Sequence, residues 1–131
     1  MPAIKYSHQR EAVKNCLLGR MDHPTAEMIY EQIRREDPRI SLGTVYRNLS
    51  LLVQLGEVRR IPVADGPDHF DGDMSRHFHF ICRRCHAVKD LRSPELGDSL
   101  ERLLSEQSDR AEDVVLNVYG CCSDCCGIEQ V

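Results

Sequence analysis

Apolar residues recur with helical spacing in three stretches of the first half of the chain. Within residues 9–18, Ala12, Val13, Cys16 and Leu17 share one face. Thr25, following Pro24, suits the N-cap of a second helix, with Ala26, Ile29, Tyr30 and Ile33 at i, i+3, i+4 and i+7. Asp37-Pro38 is expected to end it. Ser41 caps a third helix whose buried stripe is Leu42, Val45, Leu49 and Leu52, with Gly56 as its C′ stop. Its opposite face carries Thr44, Tyr46, Arg47, Ser50 and Gln54. The pattern then becomes strand-like over Glu57–Pro62, turns at Asp65-Gly66 and returns near His69-Phe70-Asp71. Three short helices and a two-stranded wing predict a winged helix-turn-helix. A plain helical domain with solvated polar faces fits the same periodicity. In the winged reading the third helix enters the major groove, presenting Thr44, Tyr46, Arg47 and Ser50. Arg59 and Arg60 on the wing would add phosphate contacts, which position without reading sequence.

The second half follows a different rhythm. His77-Phe78-His79-Phe80-Ile81-Cys82 suits a strand, with His77 and His79 on the same side. Cys82-Arg83-Arg84-Cys85 reads as a tight turn and His86–Leu91 as the returning strand. With residues 83 and 84 as the turn, 82 faces 85 and 77 faces 90, so His77, His79 and Asp90 converge. A one-residue slip would move Asp90 off that face. Ser93 caps a helix with Pro94 at N1 and a stripe of Leu96, Leu100, Leu103 and Leu104. Val114–Tyr119 predicts a third strand, running into Gly120-Cys121-Cys122-Ser123-Asp124-Cys125-Cys126. The class is α+β: a winged helix-turn-helix, then a small α/β unit with one covering helix and strand edges able to pair with a second copy.

Composition narrows the function. The chain has 131 residues, 29% charged and 41% hydrophobic, which excludes wholesale disorder. No apolar run approaches the roughly 18 residues of a membrane span. Met1-Pro2-Ala3-Ile4-Lys5 lacks a long apolar stretch, so no secretory signal and a cytoplasmic location are expected. Residues 1–65 carry net charge +2 and residues 66–131 carry −6. Overall acidity does not exclude DNA, because binding depends on local positive charge.

Seven cysteines, an odd number without an export signal, favour metal or redox chemistry over a disulfide framework. Two Cys-x-x-Cys turns, Cys82/Cys85 and Cys122/Cys125, offer four thiolates for a closed tetrahedral Zn²⁺ site. Pairs at longer spacing, Cys121/Cys125 or Cys122/Cys126, also fit, as does a single redox Cys-x-x-Cys with unrelated thiols. Cys121 and Cys126 are then spectators or backup ligands, and Cys16 is a core residue. His8, His69 and His86 are assigned surface or hydrogen-bonding roles.

His23-Pro24-Thr25-Ala26, Ser41-Leu42-Gly43-Thr44-Val45-Tyr46-Arg47-Asn48-Leu49, His77-x-His79-x-x-Cys82-x-x-Cys85 and Gly120-x-Cys122-x-x-Cys125 together resemble the ferric uptake regulator superfamily, in order over nearly the whole chain. The resemblance implies a homodimeric, metal-dependent transcriptional repressor on palindromic operator DNA. The turn-rich stretch 64–68 is where the boundary between two units is expected, and with the resemblance the domains are expected as a winged-helix DNA-binding domain with a hinge over 1–72 and a dimerisation and metal-binding domain over 73–131. It selects Cys122/Cys125 over the other pairings. It also implies a regulatory Fe²⁺ or Mn²⁺ site, which in the peroxide-sensing branch falls on His23, Asp71, His77, His79 and Asp90. Asp90 resembles that branch, since the iron-sensing branch usually has Glu there. A further site common in iron and zinc sensors would use Arg76 and Phe78, which cannot ligate.

Three imidazoles and two carboxylates suit Fe²⁺ or Mn²⁺ better than thiolate-loving ions. Five ligands leave one octahedral position open to hydrogen peroxide. The resemblance implies that His23 or His77 is then oxidised, releasing DNA, whereas Mn²⁺ would hold the DNA-binding shape without this reaction. An iron- or manganese-responsive repressor without peroxide chemistry is the alternative. An enzyme is not expected, because no general base stands out beyond the ligands.

Overall fold

The computed structural model describes residues 7–20, 22–110, 112 and 114–129. Met1–Lys5, read above for a signal, lie outside the described residues. The chain divides into two compact units, Met1–Ser75 and Arg76–Val131. The Ala64–Asp68 turn is therefore the tip of a hairpin within the first unit, and the break falls at Ser75/Arg76.

In the first unit, α1 (His8–Leu17), α2 (Ala26–Ile33) and α3 (Leu42–Gln54) precede a hairpin of β1 (Arg59–Ile61) and β2 (His69–Asp71). Ser7, Thr25 and Ser41 each cap a helix by accepting from the backbone N–H three residues on. The helices meet through the expected stripes: Val13, Cys16, Leu17, Ala26, Ile29, Ile33, Val45, Leu49 and Leu52 form one core with Ile40, Val58 and Phe70. Leu42 is only partly buried. The second helix stops at Ile33, four residues before Asp37-Pro38, and the turn that follows has the Glu36 and Asp37 N–H groups both donating to the Ile33 carbonyl. Gly56 follows α3 at φ 74°, a left-handed value that an L side chain disfavours. In the wing, Arg59 pairs Asp71, Arg60 pairs Phe70 and Ile61 pairs His69. Phe70 N–H donates to the Pro24 carbonyl at 2.9 Å, tying the wing to the start of α2. The winged helix-turn-helix is thus the observed form rather than a plain helical domain.

The second unit is a three-stranded sheet in the order β4 (Val88–Leu91), β3 (Phe78–Cys82), β5 (Asn117–Gly120), with α4 (Pro94–Ser105) between β4 and β5 and α5 (Ser123–Glu129) last. β3 pairs antiparallel with β4 and parallel with β5. The hairpin register differs from the sequence expectation. His79, not His77, stands opposite Asp90. The turn is four residues, Arg83–His86, closed by Cys82 N–H to the Ala87 carbonyl and His86 N–H to the Cys82 carbonyl, with His86 at φ 63°. The shift is two residues, and side chains alternate with period two, so Asp90 keeps its face. The α4 stripe is also not buried as a covering helix would be. Among its described residues none is buried, and Leu103 is 56% exposed.

Candidate metal centres and nucleic-acid interface

The second unit draws its four Cys-x-x-Cys thiols together from two sequence-distant turns. β3 delivers Cys82 at its end, and the four-residue turn carries Cys85. β5 runs beside β3 and ends at Gly120, where a Cβ would stand 3.2 Å from the Phe80 ring. That close approach lets the chain turn directly into Cys122 and, one turn into α5, Cys125. The sulfurs of Cys82, Cys85, Cys122 and Cys125 all lie within 4.8 Å of one another, and Cys85 and Cys122 are 3.7 Å apart. A zinc tetrahedron with bonds of about 2.3 Å has sulfur–sulfur edges of about 3.8 Å, so the donor set fits zinc. Electrostatics agree. Backbone N–H groups of Cys122, Cys85 and Arg84 hold the Cys82 thiol down at about 5. The neighbouring Cys122 thiol pushes Cys125 up to about 12. The backbone thus favours the Cys82 thiolate, while the crowded sulfurs disfavour a charge on Cys125 unless a cation sits among them.

The nitrogen and oxygen donors have a different local origin. In the first unit His23 is buried with φ 51°, an uncommon conformation for a non-glycine residue that persists only where neighbours over-determine it. Here the neighbour is His69, which is buried rather than on the surface. Its Nδ1–H donates to the His23 carbonyl at 2.6 Å. His23 Nε2 then meets Asp71 Oδ2 at 3.2 Å, and Asp71 Oδ1 accepts from the Asp73 N–H at 2.9 Å. Sequence reasoning missed His69 as a positioning group. The available signal was its place two residues before Asp71 on a strand returning toward Pro24.

In the second unit His77 and His79 share a face of β3, their rings 4.7 Å apart. Asp90 Oδ1 lies 3.2 Å from His77 Nε2 and 3.8 Å from His79 Nε2. Its other oxygen accepts from Arg92 at 3.3 Å, so a single carboxylate oxygen faces both imidazoles. Neighbouring donors on an octahedral ion with bonds of about 2.1 Å stand about 3.0 Å apart. Both imidazole–carboxylate pairs at 3.2 Å match that edge. Arg76 forms a 2.6 Å ion pair with Glu101, and Phe78 is buried.

On α3, Thr44 Oγ1 links to Ser41 Oγ and accepts from Arg47 at 2.9 Å, so the first turn presents one hydrogen-bonded polar group. Tyr46 is 44% exposed on the same outer face. Arg60 lies over the Phe70 ring, 5.8 Å from its centroid, and donates to Ser50. Arg59 is half-buried opposite Asp71 in the wing, and its Nε has no hydrogen-bond partner among the described residues.

A winged helix with an open polar face on its third helix, followed by a sheet unit holding a thiol quartet and imidazole–carboxylate donors, defines a metal-responsive transcriptional regulator. The description of the ferric uptake regulator family matches residues 2–119, and the chain belongs to that family. Its members are regulators rather than enzymes. The second Cys-x-x-Cys lies beyond the matched stretch, so its pairing with the first stands on the geometry above. The chain is 32% identical over 123 residues to the peroxide-responsive repressor PerR of Staphylococcus saprophyticus, covering 93% of this chain and 82% of that protein. It is 30% identical to the peroxide stress regulator of Campylobacter jejuni, with TM-score 0.79 and 89% and 88% of the two chains covered. A zinc-bound manganese uptake regulator is also 30% identical, with TM-score 0.68 and 91% of each chain covered. The thiol quartet has the donor set and spacing of a zinc site, and the nitrogen and oxygen donors are of the harder kind that suits iron or manganese. No helix among the described residues is long and apolar enough to cross a membrane.

Proposed function

We propose that this chain is a cytoplasmic, homodimeric repressor that releases its operator when peroxide oxidises a histidine at an iron centre. The regulatory ligands in this reading are His23 and Asp71 from the first unit with His77, His79 and Asp90 from the second. The observation that carries it is the Asp90 carboxylate, one oxygen facing two imidazoles and the other braced by Arg92. A shorter side chain than Glu keeps that oxygen close to β3. An ion held from both units couples metal occupancy to their relative orientation, and so to the spacing of two recognition helices over half-sites one helical turn apart. The domain roles follow: residues 1–72 read DNA through Thr44, Tyr46, Arg47, Ser50, Arg59 and Arg60, and residues 73–131 dimerise and bind metal. The half-exposed leucine stripe of α4, Leu103 above all, supplies apolar surface for that dimer.

When held by these five residues, Fe²⁺ would supply the redox chemistry that activates hydrogen peroxide beside the imidazoles. His23 and His77 are the oxidation-sensitive donors, and an oxygen added to either ring removes a nitrogen ligand. A gel shift on operator DNA tests the reading. Binding is expected with Mn²⁺ or Fe²⁺ and is lost after peroxide only with Fe²⁺, alongside a mass increase of about 16 Da on the peptide of His23 or His77. Operator release with no histidine oxidation rejects the peroxide mechanism. The likeness to a manganese uptake regulator favours one second reading, a manganese-responsive repressor that peroxide leaves bound.

A further inference from the structure

The two arginines at the base of the wing are held differently. Arg59 is half-buried opposite Asp71. Arg60, next along β1, is exposed and stands opposite Phe70, its guanidinium over that ring. Side chains alternate along a strand, so Asp68, two residues before Phe70, falls on the same face. There Arg60 Nε lies 3.6 Å from Asp68 Oδ2, while its Nη2 donates to Ser50 Oγ on α3 at 3.4 Å. Both contacts are long, whereas Arg20–Asp22 and Arg76–Glu101 close to 2.6 Å. The Arg60 and Asp68 side chains are 42% and 44% exposed, so water screens the pair and its attraction is weak. Arg60 therefore sits between the third helix and the wing tip, tightly held by neither.

The wing tip has the wrong sign for a phosphate. Residues 62–69 carry Asp65 and Asp68 and no Lys or Arg. A carboxylate at the edge of a phosphate-binding face acts twice. It repels the phosphate, and it occupies a cation that would otherwise neutralise one.

We propose that Asp68 limits the affinity of the DNA interface: in the free chain its carboxylate engages Arg60, and binding a duplex makes Arg60 exchange that carboxylate for a backbone phosphate. This rests on the DNA-reading role proposed above for α3 and the wing, and adds to it a residue of opposite charge. Ser50 and the Phe70 ring keep the guanidinium beside α3 whichever anion it faces. Phosphate contacts carry no base information, so Asp68 sets the strength and salt dependence of binding and leaves sequence choice alone.

The test measures binding of the full, Mn²⁺-loaded chain to two duplexes by fluorescence anisotropy. One duplex is selected by the wild-type chain from a random-sequence pool, and the other is of random sequence. Asp68→Asn keeps the size of the side chain and removes its charge. It is expected to tighten both duplexes by about three- to tenfold at about 0.05 M salt, with their ratio unchanged. The slope of log affinity against log salt should steepen by up to about 0.9, the increment for one more neutralised phosphate. Asp68→Ala should reproduce the gain, which ties it to the lost charge rather than to the new amide. In an Arg60→Gln background the same substitutions should gain less than about twofold, because no cation is left to release. Variants at 68 that bind no tighter than wild type, or that gain as much without Arg60, overturn the proposal and leave the DNA-binding reading standing. A wild-type chain that binds neither duplex removes both.

Discussion

The thiol quartet and the imidazole–carboxylate donors are built in opposite ways. The quartet lies within one unit, on two turns that flank adjacent parallel strands, with three backbone N–H groups holding one thiolate ready. Its sulfurs are soft donors, and they complete a tetrahedron with no position left over. The other donors come as separate small sets: a His–Asp pair on one unit and a His–His–Asp group on the other. They are harder and leave coordination incomplete within either unit. The first arrangement suits an ion that replaces a missing core. Phe78, Ile81, Cys82, Val88 and Cys122 are most of what the second unit buries. In the reading proposed above, the second suits an ion that comes and goes, because neither donor set fills its coordination alone. Permanence and reversibility would then follow from donor type and from how complete each donor set is.

Breaking the quartet should have the largest effect. Cys122→Ser is expected to abolish zinc retention and unfold the second unit, since structural zinc contributes on the order of 10 kcal/mol in small domains. Zinc content and circular dichroism check this. If the variant instead stays folded without zinc, the quartet is not the core substitute described here.

Next come the removable donors. Asp90→Ala or His77→Ala should leave zinc content and the melting profile of the second unit near wild type, apart from a local loss. Mn²⁺-dependent operator affinity should fall at least about tenfold, measured by fluorescence anisotropy at fixed salt. Equal loss of zinc in these variants would erase the contrast between the centres.

His69→Ala sharpens the comparison at a distance. It removes the hydrogen bond to the His23 carbonyl that holds the left-handed backbone. Groups that orient a metal ligand typically matter by about 10- to 100-fold in metal affinity. Titration with Mn²⁺ should show a loss in that range with zinc unaffected. His69→Asn, which can still donate, should recover part of it.

The smallest effect belongs to the approach to His23. Arg20 donates to both carboxylate oxygens of Asp22 and to Gln32, which lowers the Asp22 pKa below its ordinary 3.8. A lowered carboxylate stabilises the fold above its ordinary pKa, and the contribution disappears as pH falls through the lowered value. Because Asp22 is half-exposed and the pair is screened by solvent, Arg20→Gln should cost below about 1 kcal/mol at neutral pH. Thermal melts should show that difference constant from about pH 5 to 8 and shrinking in stronger acid.

Much of this protein was legible along the chain. Caps at Thr25, Ser41 and Ser93, the apolar stripes of the three N-terminal helices and the wing between Glu57 and Asp71 are local signals, and each was met within a few residues. The two Cys-x-x-Cys pairs and the His77, His79 and Asp90 group could be read from residue type and spacing, whereas His23 and Asp71 entered only through the family resemblance. The length of the 83–86 turn was not legible, because it depends on His86 accepting a left-handed backbone so that Cys82 and Ala87 can pair. Nor was the role of His69, whose partner carbonyl lies 46 residues earlier. The fate of the α4 leucines was equally hidden: periodicity marks an apolar face but carries no information about what covers it.

The sequence by itself therefore determined which residues share a helix face and that two Cys-x-x-Cys turns and a His-x-His strand offer soft and harder donors, since these follow from period and chemistry within a few residues. Only the tertiary structure decided the strand register, the meeting of Cys82 and Cys85 with Cys122 and Cys125, and the strained seat of His23. Those depend on contacts between segments far apart in the chain, whose energies no local pattern encodes.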